Sequence, residues 1–101
     1  MAHITDHKAE FERLCQQSQR VRADAIRSRI MVAHAFCAIA ETELRRNPDR
    51  AEDALSKARR SVDELQRHIS EPNHVSSAAA QELAEELSEL KLRVTLIENP
   101  L

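Results

Sequence analysis

Apolar side chains recur at alternating spacings of three and four residues along three stretches of the chain. Such spacing collects them on one side of an α-helix, so each stretch predicts an amphipathic helix with one buried face. The predicted helices span about 5–46, 48–70 and 76–98. Their apolar stripes are Ile26, Ile30, Ala33, Cys37, Ala40 and Leu44 in the first helix, Ala51, Leu55, Ala58, Val62, Leu65 and Ile69 in the second, and Ala80, Leu83, Leu87, Leu90, Val94 and Ile97 in the third.

Proline residues and their neighbours mark the breaks between these helices. A helix start is predicted at Asn47, which can cap the helix, and Pro48, which suits its first turn. Asp49 then complements the positive end of the helix dipole. A second break surrounds Pro72, where Asn73 or a following serine can cap the third helix. Both links are short, which forces neighbouring helices to lie antiparallel.

These elements predict a single all-α domain over residues 1–101, an antiparallel three-helix up-down-up bundle with an unusually long first helix. Residues 1–4 and 99–101 are expected to be frayed termini. A first helix of about 42 residues would be roughly 63 Å long, whereas its partners reach only about 35 Å. Some twenty residues at its amino end would therefore extend past the bundle.

A second apolar stripe continues along that extension, where no other predicted helix can reach it. Either residues 5–24 fold back as a short fourth helix or another chain covers them. Since no glycine or proline is present there to make a turn, we favour the second alternative. The prediction is a homodimer in which the long helices of two copies pack on each other, parallel or antiparallel, in the manner of a coiled coil. The predicted interface residues are Phe11, Leu14, Cys15, Val21, Val32, Phe36 and Ile39.

The composition excludes several classes of function. The chain contains no glycine, so it has neither a glycine-rich phosphate loop nor a dinucleotide-binding fingerprint. Two phenylalanines are its only aromatic residues apart from histidine, which leaves no stacking platform for bases or sugars. We expect a protein that is not an enzyme and that uses no cofactor or small-molecule substrate.

The charge pattern leaves two alternatives open. Fifteen basic against seventeen acidic residues leave a net charge of −2, which favours neither nucleic acid nor an anionic membrane. Five arginines lie between residues 13 and 29, however, and Arg13, Arg20 and Arg27 recur every seven residues. This row is interpreted as complementary to an acidic face of the third helix, where it could set register across a dimer. The alternatives are two charged faces that are simply solvated, and a nucleic-acid accessory protein that uses the arginine row. The acidic residues are Glu82, Glu85, Glu86 and Glu89.

Histidine and cysteine residues suggest a further alternative, a metal- or thiol-responsive sensor. His3, His7 and Glu10 fall on one helix face at a spacing that can hold Zn²⁺, Ni²⁺ or Cu²⁺, and Cys15 lies nearby. Glu71 and His74 also have metal-ligand spacing. Pro72 lies between them, so they are not expected to present both ligands from one helical turn.

The cysteines also bear on the compartment. Cys15 and Cys37 lie on one predicted helix, about 33 Å apart along its axis, so they cannot form a disulfide with each other. Free thiols, together with an amino-terminal stretch that lacks the apolar run of a secretion signal, predict a cytoplasmic protein.

Residues 36–61, FCAIAETELRRNPDRAEDALSKARRS, resemble a single degenerate tetratricopeptide-type helical hairpin. Ile39, Ala40 and Leu44 match its first helix, and the spacing of Ala51, Leu55 and Ala58 matches its second. Asn47 and Pro48 replace the usual glycine at the turn, and the aromatic positions are empty. The resemblance implies a protein-interaction scaffold. The chain is therefore expected to be a helical interaction and assembly module that associates with itself, and with another protein as a further expectation.

Overall fold

The computed structural model describes the backbone of residues 2–100 and the side chains of residues 7–100. Within that range the chain folds into three helices and no strand: α1 (Ala2–Glu43), α2 (Pro48–Ser70) and α3 (Ser77–Glu98). Each helix contacts the other two. The molecule measures 69 × 20 × 15 Å. The predicted all-α, antiparallel up-down-up bundle with a long first helix is confirmed.

Side-chain caps set the starts of α2 and α3. Asn47 has non-helical backbone angles, and its side-chain oxygen accepts a hydrogen bond from the N–H of Arg50 at 3.2 Å. At the start of α3, Ser76 Oγ accepts from the N–H of Ala79 at 3.2 Å. Because Ser76 caps the helix, α3 begins one residue later than the sequence predicts. Such caps satisfy backbone donors that have no partner inside the helix.

The bounds of α1 differ from the predicted ones at both ends. The helix begins at Ala2 and ends at Glu43, so it includes residues predicted to be frayed and excludes residues 44–46, which form a turn. The Asn47 N–H closes that turn on the Glu43 carbonyl at 2.8 Å. Leu44 was predicted to belong to the buried stripe, but it lies beyond the last helical turn and is 44% exposed. Met1 and Leu101 lie outside the described residues.

The core is built from the predicted stripes. Every stripe residue of α2 is buried, and Ala54 joins them. In α3 the stripe from Leu83 to Ile97 is buried, while Ala80 is partly buried and packs against it. The contribution of α1 begins at Ala23 and ends at Ala40. All buried side chains among the described residues are apolar.

The amino-terminal part of α1 extends beyond the bundle as a single helix. Residues 7–18 are all exposed, and the first hydrogen bonds from α1 to the rest of the bundle come at Gln19 and Arg22. Residues 2–18, here called the projecting segment, span about 25 Å at 1.5 Å per residue. The alternative in which residues 5–24 fold back as a fourth helix is therefore wrong. None of the described helices combines the length and the apolarity needed to cross a lipid bilayer.

Candidate functional site

A strip of apolar and small side chains runs along the outer side of α1. Its spacing of three and four residues continues from the projecting segment onto the bundle. Phe11, Leu14, Val21 and Val32 are all more than half exposed, and the small residues between them are exposed as well. This α1 strip consists of Phe11, Leu14, Ser18, Val21, Ala25, Ser28, Val32, Ala35 and Ile39.

The remaining predicted interface residues differ in their exposure to solvent. Cys15 is exposed beside the strip on the projecting segment. Phe36 and Ile39 are half-buried and pack against the core of their own chain. The Lys57 ammonium of α2 lies 5.6 Å from the centre of the Phe36 ring, a cation–π contact. The amino-terminal half of the predicted interface is thus open, and its carboxyl-terminal end is partly used within the chain.

The structure exposes further large apolar side chains that sequence reasoning did not single out. Met31 lies on α1, and Leu92 and Leu96 are four residues apart on α3. Leu96 and Leu44 line a shallow cavity with Pro100 at the end of the bundle away from the projecting segment. The sequence did contain an indication of their exposure, because Leu92 and Leu96 lie off the three- and four-residue spacing of the buried α3 stripe.

The arginine row and the acidic face of α3 meet within one chain at Arg27. Its guanidinium lies 3.3 Å from Asp24, 3.7 Å from Glu82 and 3.7 Å from Glu86. Arg13, Arg20, Glu85 and Glu89 are exposed and form no ion pair within the described part of the chain. The complementarity predicted from sequence is therefore present at Arg27 as a contact between α1 and α3.

Two other arginines of this region have partners on α2 and its following loop. Arg29 Nη2 donates to Glu64 Oε2 at 2.6 Å. Arg22 donates to the backbone oxygens of His74 and Asn73. Most of the positive charge between residues 20 and 29 is thus engaged in holding α1 to the rest of the bundle.

A small polar network borders the buried Cys37 thiol. Arg93 Nε donates to Glu41 Oε1 at 2.6 Å, and Arg93 Nη1 lies 3.0 Å from His34 Nδ1. The hydrogen bond to Glu41 raises the pKa of Arg93 above its ordinary value. Burial raises the pKa of the Cys37 thiol, an effect that the charge of Arg93 partly opposes. A buried neutral thiol is a poor nucleophile and a poor metal ligand.

The two histidine groups considered from sequence have different outcomes. His7 and Glu10 are exposed on the projecting segment, and the side chain of His3 lies outside the described residues, so their predicted metal site is not described. Glu71 and His74, by contrast, do come together, and His68 joins them. They come together through a non-helical turn, and Pro72 is compatible with such a turn.

No family model, curated protein or solved structure matches this chain.

Proposed function

We propose that this protein is a non-enzymatic helical assembly module of the cytoplasm that self-associates through α1. The observation that carries the proposal is that Phe11, Leu14 and Val21 are 67%, 55% and 62% exposed on a helix that extends beyond its own bundle. Burying one such side chain contributes about 1.5–3 kcal/mol. A second copy of the chain presents the same surface and can bury all three.

The spacing of the α1 strip supports a second copy as the occupant. Alternating steps of three and four residues are the repeat that keeps two helices in contact along a left-handed coiled coil. In that repeat one set of core positions consists of Phe11, Ser18, Ala25, Val32 and Ile39, and the other consists of Leu14, Val21, Ser28 and Ala35. Ser18, Ala25 and Ser28 allow the two backbones to approach closely.

Charges on the two edges of the α1 strip favour a parallel pair. Arg22 and Arg29 lie along one edge, and Glu10 and Asp24 lie along the other. A parallel arrangement places the basic edge of one copy against the acidic edge of its partner, so that Asp24 faces Arg29 of the partner subunit. Within each chain Arg29 also contacts Glu64, and Asp24 also contacts Arg27. An antiparallel arrangement places like edges together, which costs electrostatic free energy.

Other features support an interaction role and the cytoplasmic placement. The ion pairs described above face solvent. The hairpin of residues 36–61 resembles a tetratricopeptide-type unit, and this resemblance implies a protein-interaction scaffold. Cys15 and Cys37 are free thiols, and free thiols suit a reducing compartment.

The proposal is tested by measuring absolute mass with light scattering over a range of protein concentrations, in reducing buffer. The intact chain is expected to be a dimer. The variant Phe11→Ser/Leu14→Ser/Val21→Ser is expected to be a monomer with an intact bundle. Leu92→Ser/Leu96→Ser is the matched control, because its side chains are also exposed (60% and 51%) but lie on α3. It is expected to remain a dimer.

Two results would contradict the proposal. An intact chain that is monomeric at every concentration contradicts self-association. A dimer that both variants disrupt equally contradicts the assignment of the contact to the α1 strip.

A further inference from the structure

The carboxyl end of α2 and the loop that follows it bring two imidazoles and a carboxylate together. His68, Glu71 and His74 each offer one donor atom, and these atoms all lie within 4.8 Å of one another. His74 Nδ1 is 3.3 Å from Glu71 Oε2, and His68 Nδ1 is 3.8 Å from Glu71 Oε1. Donor atoms around a tetrahedral zinc ion are separated by roughly 3.3–3.5 Å, because each bond is about 2.0–2.2 Å long. The two His–Glu distances, each to a different Glu71 oxygen, lie near that spacing, and the separations of up to 4.8 Å must shorten when an ion binds.

The backbone explains why these three side chains meet. The Glu71 N–H bonds to the His68 carbonyl at 3.4 Å, and the His74 N–H bonds to the Glu71 carbonyl at 3.3 Å. The hydrogen bond from His74 to Glu71 closes a turn over Pro72 and Asn73, which brings His74 back towards Glu71 and His68. Glu71 is extended, as a residue before proline prefers, and Asn73 takes a left-handed φ of 61° that lets the chain turn back.

One nitrogen in the cluster lacks a partner. His68 Nδ1 is shielded from solvent and has no hydrogen-bond partner in the described part of the chain. Its contact with Glu71 is too long for a hydrogen bond. Buried polar atoms in folded proteins normally have a partner. A metal ion can be that partner, because a neutral imidazole nitrogen is a common metal ligand.

The loop that carries two of the three donors is held in place from outside the cluster. Arg22 donates to the His74 and Asn73 carbonyls, and Gln19 Nε2 donates to Asn73 O at 3.3 Å. The two imidazole rings lie 5.7 Å apart at an angle of 23°. One ring must therefore rotate about χ2 for both to point at a common ion, and χ2 of histidine is a broad torsion.

We propose that His68, Glu71 and His74 form a binding site for a divalent transition-metal ion, with Zn²⁺ as the best match. Two imidazole nitrogens and one carboxylate oxygen are ligands that zinc commonly takes, and water completes the tetrahedron. A bound ion fastens the end of α2 to the loop that holds α1. This inference is independent of the proposed self-association.

The test is calorimetric titration of the full chain, prepared without a histidine tag, with Zn²⁺. The reference variant His3→Ala/His7→Ala/Cys15→Ser removes the histidines and the cysteine of the projecting segment. It is expected to bind one ion per chain and to unfold at a higher temperature when zinc is present. In this reference, His68→Ala and His74→Ala are each expected to weaken binding at least about tenfold. Glu71→Gln, which keeps the side-chain size, is expected to do the same.

His34→Ala is the matched control, because His34 is a partly buried histidine whose contact is with Arg93. It is expected to leave zinc affinity within about twofold, since a group that does not touch the ion has little effect unless it orients a ligand. Circular dichroism of each variant without zinc checks that the bundle is intact. Absence of zinc binding in the reference variant overturns the proposal. Binding that persists in His68→Ala/His74→Ala also overturns it.

Discussion

Arg22 Nε in α1 donates a hydrogen bond to the backbone oxygen of His74, 2.5 Å away in the loop between α2 and α3. Nη2 of the same side chain lies 3.4 Å from the oxygen of Asn73. One guanidinium thus donates to two backbone carbonyls of the loop, which lie outside the regular hydrogen bonding of the helices. The contact lies where the projecting segment leaves the bundle.

We expect Arg22→Ala to destabilise the bundle by about 1–2 kcal/mol, because both carbonyls lose a charged donor. Arg22→Lys is expected to recover only part of this loss, since an ammonium group cannot match the fork of a guanidinium. Denaturant unfolding followed by circular dichroism measures both changes. Arg20→Ala, on an exposed arginine two residues away, is the control and is expected to change stability by less than about 0.5 kcal/mol. Equal effects at the two positions would contradict the anchoring role.

The buried stripe of α3 predicts a sharp contrast between two leucines two residues apart. Leu90 is fully buried and Leu92 is 60% exposed. Leu90→Ala is expected to cost about 2–5 kcal/mol, because it removes buried methyl groups and leaves a cavity. Leu92→Ala is expected to cost less than about 0.5 kcal/mol. Chemical unfolding of both variants at the same protein concentration tests this, and a small loss at Leu90 would contradict the packing described for α3.

The two cysteines are expected to differ in reactivity. Burial raises the pKa of the Cys37 thiol, so a thiol reagent should modify exposed Cys15 and leave Cys37 unmodified until the chain unfolds. Mass spectrometry after brief alkylation, followed by digestion, identifies the labelled residue. Rapid labelling of Cys37 in the folded chain would contradict its burial.

The same raised pKa predicts how stability depends on alkaline pH. As the pH rises above the ordinary thiol pKa, the unfolded chain releases the Cys37 proton before the folded chain does. The unfolded state then binds fewer protons, so the free energy of unfolding falls with rising pH. Cys37→Ala is expected to remove this part of the slope, and Cys15→Ala is expected to leave it unchanged. Unfolding curves at a series of alkaline pH values compare the slopes.

The parallel arrangement of the proposed dimer predicts a specific cross-link. Ser18 falls on the α1 strip, where equivalent residues of two parallel helices face each other at a distance that a disulfide can span. In a Cys15→Ser background, Ser18→Cys is expected to form a disulfide-linked dimer under mild oxidation. Gln16→Cys, exposed on the opposite side of α1, is expected to remain monomeric on a non-reducing gel. Cross-linking at both positions, or at neither, would contradict the parallel pairing.

The fold could be predicted from the sequence because each helix carries its own local signals. Asn47 caps α2 and is followed by proline, and Ser76 caps α3. The buried stripes of α2 and α3 each follow a three- and four-residue spacing, so the burial of Leu65, Leu83 and Leu87 could be predicted from it. The carboxyl end of α1 was harder to predict from the apolar spacing, because the turn that exposes Leu44 is set by the following Asn47 and Pro48.

The candidate sites were harder to predict because they depend on how elements meet. The sequence suggested that the charge of Arg27 complements the acidic residues of α3, either within one chain or across a dimer. The bundle brings Arg27 to Glu82 and Glu86 within one chain because α1 and α3 are direct neighbours. The cluster at His68 depends on a loop conformation that includes the left-handed Asn73, and helical spacing carries no information about it.

The exposed position of the projecting segment has a consequence for its own secondary structure. Most of the stability of a helix in a protein comes from the packing of its apolar face, and residues 7–18 are exposed within the described chain. Contact with a second copy would add the missing stabilisation, so folding of this segment would be coupled to association. Dilution should then reduce the far-ultraviolet circular dichroism per residue while the bundle stays folded. The length of α1 would thus become a quantity that depends on protein concentration.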